Sequence, residues 1–261
     1  MGGGQWQVLR LLRGLRERGV ESVLLSPAKS PLSGQAAREG FAVQPPGWRF
    51  PAADLVHAHD ARGHTMAAVI SRIPLIVARR VAFPLKRTRL SQWKYERPTH
   101  FIAVSRFVAD VLMKAGVPES KIDVVHDGVP LLPLSSRTGA VIEIVKNASN
   151  LERDLLNARI LLYRTEAEGL GSAALLGMSA GIPVIASRIG GLPEVIEHGF
   201  NGLLSGNSQD EFAACLKLLE QDAAEAARLA VNARRTIEER FTVERMVEDT
   251  LAVYRRVLNA A

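Results

Sequence analysis

The stretch Glu168-Gly169-Leu170-Gly171-Ser172-Ala173-Ala174-Leu175-Leu176-Gly177-Met178-Ser179-Ala180-Gly181-Ile182-Pro183-Val184-Ile185-Ala186-Ser187-Arg188-Ile189-Gly190-Gly191-Leu192-Pro193-Glu194 decides the fold. A carboxylate precedes glycines and a small, apolar helical run. A Gly-Ile-Pro turn then leads into a buried strand at Val184 to Ala186, and a second glycine pair opens a second helix. This order brings two helix N-termini to one edge of a sheet. Free backbone N–H groups and the helix dipole there favour an anion such as phosphate.

Working outward, helical and strand-like patterns alternate from the first residues, the signature of parallel sheets flanked by helices. Val8, Leu11, Leu12 and Leu15 recur at helical spacing, and Gly19 stops that helix. Short apolar runs at 23–25, 41–43, 55–57, 75–77, 101–104 and 124–125 read as buried strands, with helices at 62–71 and 105–115 between them. Pro, Ser and Gly collect at 130–139, the best candidate linker. A second α/β unit follows, with strand 141–145, helix 151–157 and strand 160–162. Beyond Gly206 three amphipathic helices, near 209–220, 222–240 and 243–258, carry apolar stripes.

The 261 residues suffice for a sizeable core in one or two domains. No apolar run reaches the roughly 20 residues needed to cross a bilayer. Met1 leads into glycines and a charged amphipathic helix, unlike a signal peptide, so a cytoplasmic location is expected. Cys215 has no partner for an intrachain disulfide and reads as a small core residue. The net charge of +6 points to anionic matter. Part of it is local: Arg79, Arg80, Lys86, Arg87, Arg89, Lys94 and Arg97 interleave with Phe83, Trp93 and Tyr95. That segment suits an anionic membrane surface or acceptor, and equally reads as a solvated basic loop. No nucleic-acid-binding module accompanies the charge.

The opening stretch closely resembles the donor site of the family 4 (group 1) retaining glycosyltransferases of GT-B architecture, in which two Rossmann-like domains face each other across a cleft. Nearly all of the chain has a counterpart there. Gly2-Gly3-Gly4-Gln5-Trp6 is similar to the acceptor-side glycine loop, and Leu55-Val56-His57-Ala58-His59-Asp60 to the strand end with the acceptor-side histidine. Ala103-Val104-Ser105-Arg106 and Val125-His126-Asp127-Gly128-Val129 are similar to the segments before the linker. Phe241 and Tyr254 resemble the C-terminal helix that crosses back. The resemblance implies an acceptor-side domain at 1–133, a donor-binding domain at 134–240 and a returning helix at 241–261.

It also implies roles. Glu168 would bind sugar hydroxyls, with His59 and Asp60 orienting the acceptor. Gly169, Leu170, Gly171, Ser172, Gly190, Gly191 and Glu194 would line the donor site, and Gly2, Gly3 and Gly4 the acceptor loop. The expected co-substrate is a nucleotide-diphosphate sugar, with no metal or other cofactor. The partner would be a glycan or lipid-linked acceptor in cell-envelope or lipopolysaccharide-type synthesis, at the inner face of the membrane. Each residue also has a plainer reading. Glu168 stabilises a helix dipole in any protein, Gly169 and Gly171 allow tight packing, and Gly-Gly-Leu-Pro-Glu is an ordinary helix start. His57 and His59 share a strand face, yet no third ligand accompanies them to hold a metal.

Three departures stand against the resemblance. The family opens with a strand before the glycine loop, and here Met1 abuts the glycines; without that strand its neighbours would lie unpaired. The start of the second domain is short, leaving only Arg137 and Lys146 as substitutes for the basic pair that holds the diphosphate. The family's two glutamates separated by seven residues are Glu168 and Leu176 here, and leucine accepts no hydrogen bond. A non-catalytic relative acting as a binding or membrane-surface module is the alternative. A nicotinamide-dependent Rossmann enzyme is set aside, because no G-x-G-x-x-G follows a strand.

Overall fold

A computed structural model describes residues 1–83, 88–144 and 151–260. Two α/β lobes are built in chain order. The first comprises α1 (Gly3–Glu17), β1 (Val23–Leu25), α2 (Pro31–Arg38), β2 (Ala42–Gln44), β3 (Val56–Ala58), α3 (Ala61–Ile70), β4 (Leu75–Arg79), α4 (Arg89–Glu96), β5 (His100–Ala103), α5 (Arg106–Lys114) and β6 (Ile122–Val124). The second comprises β7 (Val141–Ile144), α6 (Leu151–Leu155), β8 (Ile160–Tyr163), α7 (Ser172–Ser179), β9 (Val184–Ser187), α8 (Leu192–Val195), β10 (Leu203–Ser205), α9 (Gln209–Gln221) and α10 (Ala223–Arg240). The last helix, α11 (Val243–Asn259), returns to the first lobe and packs along α1.

All strand pairs between these elements are parallel, as the alternating pattern predicts. The second lobe's sheet runs β10-β9-β8-β7, and the first lobe's main sheet runs β3-β4-β5-β6. Parallel strands need crossover helices on the faces, so β4, β5 and β9 are buried along nearly their whole length. The first lobe departs from a continuous sheet. β1 and β2 pair only with each other, and among the described residues β1 and β3 each keep an edge without a strand partner. α1 spans this break. Leu9 and Leu12 pack with the α2 side, while Leu11 and Leu15 pack with Ile76, Ile102 and α11.

One core runs through both lobes, joining Phe101, Val104 and Val108 of the first to Leu170, Leu175 and Leu192 of the second, with Phe241 beneath the junction. α11 approaches α1 closely at Gly14, where an added Cβ would fall 2.4 Å from Val247 Cγ2. Several sequence expectations shift in detail. The helix expected at 151–157 ends at Leu155, and the helix after Gly191 is a single turn. Cys215 is half-buried at the margin of the core under β10. Lys146, Lys86 and Arg87 lie outside the described residues.

Candidate functional site

Capping chemistry separates one group of helices from the rest. α2, α3, α4, α5, α9, α10 and α11 each begin with a Ser, Thr or Asp whose side chain accepts a backbone N–H of the first turn. α1, α7 and α8 begin instead at Gly2, Gly171 and Gly191, with no side-chain cap. The first amides of α1 and α7 therefore lack the side-chain acceptor that the other helices supply for themselves, whereas in α8 the Leu192 N–H donates to the Ile189 carbonyl, the Glu194 N–H to that of Gly191, and Pro193 has no N–H.

These three uncapped starts lie together. A Cβ on Gly3 would be 3.7 Å from Ser172 Oγ, and one on Gly171 would be 2.5 Å from Leu192 Cδ2. The two glycine loops of the second lobe touch backbone to backbone. A Cβ on Gly190 would fall 1.9 Å from the Glu168 carbonyl oxygen, and one on Gly191 would fall 2.1 Å from that of Gly169. Gly171 and Gly190 also take positive φ, +113° and +58°, which side chains at these positions would resist. A Cβ added at Gly2 or Gly4 would meet nothing within 4 Å.

The convergence expected from the sequence is present, and among the described residues the first lobe packs directly against it. The seam is closed by the first lobe. Gly169 lies against Arg80, where a Cβ would come within 2.1 Å of its carbonyl oxygen, and Ser105 Oγ donates to the Gly169 carbonyl at 2.6 Å. Leu170 is buried in the shared core. Two cavities among the described residues lie away from this seam. One of about 260 Å³ sits beside Ile142 and Arg153, the other of about 280 Å³ beside Arg72 and Thr99.

Glu168 is half-buried with both carboxylate oxygens engaged. Oε1 accepts the Gly169 N–H at 2.9 Å, and Oε2 accepts the Tyr163 hydroxyl. Burial, and then the Glu168 charge, push the Tyr163 phenol far above its ordinary range, so it stays a donor. Leu176 faces the core at 8% exposure, so this position offers a ligand no hydrogen-bond acceptor.

Glu194, expected at the donor, reaches across to the other lobe. Its carboxylate accepts the N–H groups of Arg106 and Phe107, each at 2.8 Å, at the start of α5. His126 Nε2 stands 3.6 Å away, an ion-pair distance rather than a hydrogen bond. Burial raises the Glu194 pKa, but His126 and the two amides outweigh it and hold the carboxyl below its ordinary value.

On the acceptor side, β3 places His57 and His59 on one face with ring centroids 4.0 Å apart, as strand alternation predicts. His57 Nδ1 meets the Tyr254 hydroxyl of α11 at 2.6 Å, and Nε2 is buried without a partner. Burial, then the Arg80 charge, lowers the His57 pKa to about 3. His59 Nδ1 lies 3.1 Å from Arg80 Nη1, and Arg80 Nε lies 2.9 Å from Asp127 Oδ1. Asp60 is exposed and caps α3, accepting the Gly63 N–H at 2.6 Å. Arg10, on α1, spans the lobes by donating to the Gly128 carbonyl and to Glu152.

The sequence assigns no site role to Arg80, Tyr163 or Ser105. Arg80 is hidden within a run of cations, although its place immediately after β4 marks it as a strand-end residue. That run is more inward-turned than its charge suggests. Arg79 donates to Tyr95 and the Phe83 carbonyl, Lys94 to the Ala61 carbonyl and Arg97 to the Ala68 carbonyl. The substitute cation Arg137 is exposed and takes a positive φ of 55°.

Comparison with known proteins accords with this geometry. The family model for glycosyl transferases group 1 matches residues 135–236, and that for glycosyltransferase family 4 matches residues 48–131. N-acetyl-alpha-D-glucosaminyl L-malate synthase of Bacillus anthracis is 31% identical over 111 residues, 42% of this chain and 29% of that protein. Alpha-maltose-1-phosphate synthase of Mycolicibacterium smegmatis is 30% identical over 171 residues, 60% of this chain and 44% of that protein. The matched stretches thus span less than half of these relatives. HepE of Anabaena, crystallised with UDP, superposes with a TM-score of 0.82 at 15% identity over 98% of this chain and 96% of that one. A glycosyltransferase from Rickettsia africae superposes with a TM-score of 0.80 at 15% identity over 100% of this chain and 96% of that one. With the two family models falling on successive lobes of a GT-B fold, the chain belongs to the family 4, group 1 glycosyltransferases.

Proposed function

We propose that this chain transfers a sugar from a nucleotide diphosphate to a hydroxyl-bearing acceptor, with retention of anomeric configuration. The observation carrying this reading is the meeting of three uncapped, glycine-led helix starts at the junction of the lobes. The difficult step is departure of the diphosphate while the sugar gains positive charge, and preorganised N–H groups at Ser172 to Ala174, which open α7, suit that leaving charge. Donor entry requires the seam at Gly169 to widen, because Arg80 and Ser105 now occupy its mouth. Glu168, released from Tyr163, would then accept from sugar hydroxyls. HepE was crystallised with UDP and with UDP-glucose, which makes uridine nucleotides the first donors to try.

The acceptor in this reading is a glycan or lipid-linked sugar of the cell envelope, met at the inner face of the membrane. Phe83, Leu90 and Trp93 support it: these apolar side chains are 62%, 74% and 40% exposed beside the exposed Arg89. Among the described residues no helix is long and apolar enough to cross a membrane. A second reading, a non-catalytic sugar-nucleotide binder, is favoured by the burial of Leu176. Calorimetric titration with UDP, UDP-glucose and GDP-mannose, followed by a hydrolysis and transfer assay, separates the two. Binding with turnover supports the transferase, binding alone supports the second reading, and no binding refutes both.

A further inference from the structure

The contact between Arg80 and His59 fixes more than a position. A guanidinium carries five N–H donors, no acceptor, and keeps its proton under all ordinary conditions. Its Nη1 lies 3.1 Å from His59 Nδ1, so Nδ1 must present a lone pair. A neutral imidazole has one N–H, which is therefore on Nε2. The doubly protonated ring is excluded, since it would set N–H against N–H. Burial, then His57, then Arg80, hold the His59 pKa well below its ordinary value, in keeping with a neutral ring.

Asp127 braces the arrangement. Its carboxylate is 5% exposed and pairs with Arg80 Nε at 2.9 Å, which offsets the guanidinium charge and sets the plane of the fork. His59 Nε2 makes no hydrogen bond to the described residues, and the residue is half-buried rather than fully enclosed. The backbone of the same arginine lies against Gly169, within van der Waals reach of the donor loop. Arg80 thus touches the acceptor-side histidine with its side chain and the donor-side glycine with its carbonyl.

We infer that Arg80, braced by Asp127, is a positioning residue that locks His59 as the neutral Nε2–H tautomer. His59 is then a hydrogen-bond donor toward a ligand oxygen, a sugar hydroxyl or a phosphate, and not a proton-accepting base. This deepens the proposed function and rests on it only for the identity of that oxygen.

The test is a long-range ¹H–¹⁵N correlation spectrum of the protein labelled at its six histidines, with His59 assigned from His59→Gln. The expected spectrum shows His59 with a protonated Nε2 and a bare Nδ1, unchanged as pH falls to about 5, below the ordinary histidine range. Arg80→Leu should release the ring to a mixture of tautomers, and Arg80→Lys, which restores a donor cation, should recover the single form. A proton on Nδ1 in the wild type, averaged tautomers there, or an unaltered spectrum in Arg80→Leu overturns the inference. The wild-type spectrum decides the matter even if a variant fails to fold. Adding UDP-glucose separates the two claims: a locked ring whose Nε2 signal ignores the ligand refutes His59 as its donor and leaves the Arg80 assignment standing.

Discussion

Substituting alanine for Gly169 measures how tightly the lobes are joined. The added Cβ would sit 2.1 Å from the Arg80 carbonyl oxygen and 3.3 Å from Val104 Cγ1. An ordinary carbon–oxygen contact is about 3.3 Å, so the seam must widen by roughly 1.2 Å at a point where the closest neighbour is chain rather than an adjustable side chain. Overpacking of this kind costs about 1–3 kcal/mol. For a chain of this size each kcal/mol lowers Tm by about 2–4 °C, giving an expected fall of about 2–12 °C. The assay is urea unfolding with a parallel thermal scan, and Gly4→Ala serves as the control. Gly4 lies within α1 with nothing inside 4 Å of an added methyl, so alanine there should stabilise by up to about 1 kcal/mol through helix propensity. A Gly169→Ala variant as stable as the wild type would refute the closed, backbone-packed seam.

Two further outcomes follow from the same contacts. Glu194→Gln should cost about 1.5–3 kcal/mol by denaturant unfolding, because an amide cannot accept both the Arg106 and the Phe107 N–H with charge; a cost below about 0.5 kcal/mol, the usual range for surface substitutions away from such contacts, would show that the carboxylate does not join the lobes. His64, inside α3, keeps its ring neutral because burial, then Lys94, lowers its pKa from 6.5 to about 4. Between those values the unfolded chain binds the proton and the folded one does not, so this contribution is complete above 6.5 and is lost as pH falls toward 4. Stability measured against pH should decline across that window, and His64→Phe should flatten the decline; an equal slope in both proteins would contradict it.

The sequence exposes those parts of the fold whose residues repeat with a clear period. α5, α10 and α11 carry apolar stripes and sit within a residue or two of their expected bounds. α4 gives no such signal, because Arg89–Glu96 buries no residue fully: Leu90 and Trp93 face solvent and Tyr95 is only partly buried against the core. α2 is masked by its Pro31 and Gly34, residues that local propensity reads as loop until the Ser30 cap and the packing of Leu32 and Ala36 are seen. At the site, the glycines at 169–171 and 190–191 are legible as a place of close approach. What they approach is not, since Arg80 and Ser105 are distant in sequence and contribute a carbonyl and a hydroxyl that no pattern marks. Glu194 shows the same limit: a helix-start glutamate reads as local, and only the packed lobes reveal that it serves the start of α5 instead.

The central claim is that the amides opening α7, with the glycine turn at Gly190 and Gly191 beside them, form the seat of a nucleoside diphosphate. Its most direct test is a backbone ¹H–¹⁵N titration with UDP. The account predicts the largest shifts at Gly169 to Ala174 and Gly190 to Leu192, saturating together with a single Kd. Saturable binding that leaves those amides unmoved, or no binding at all, would contradict it.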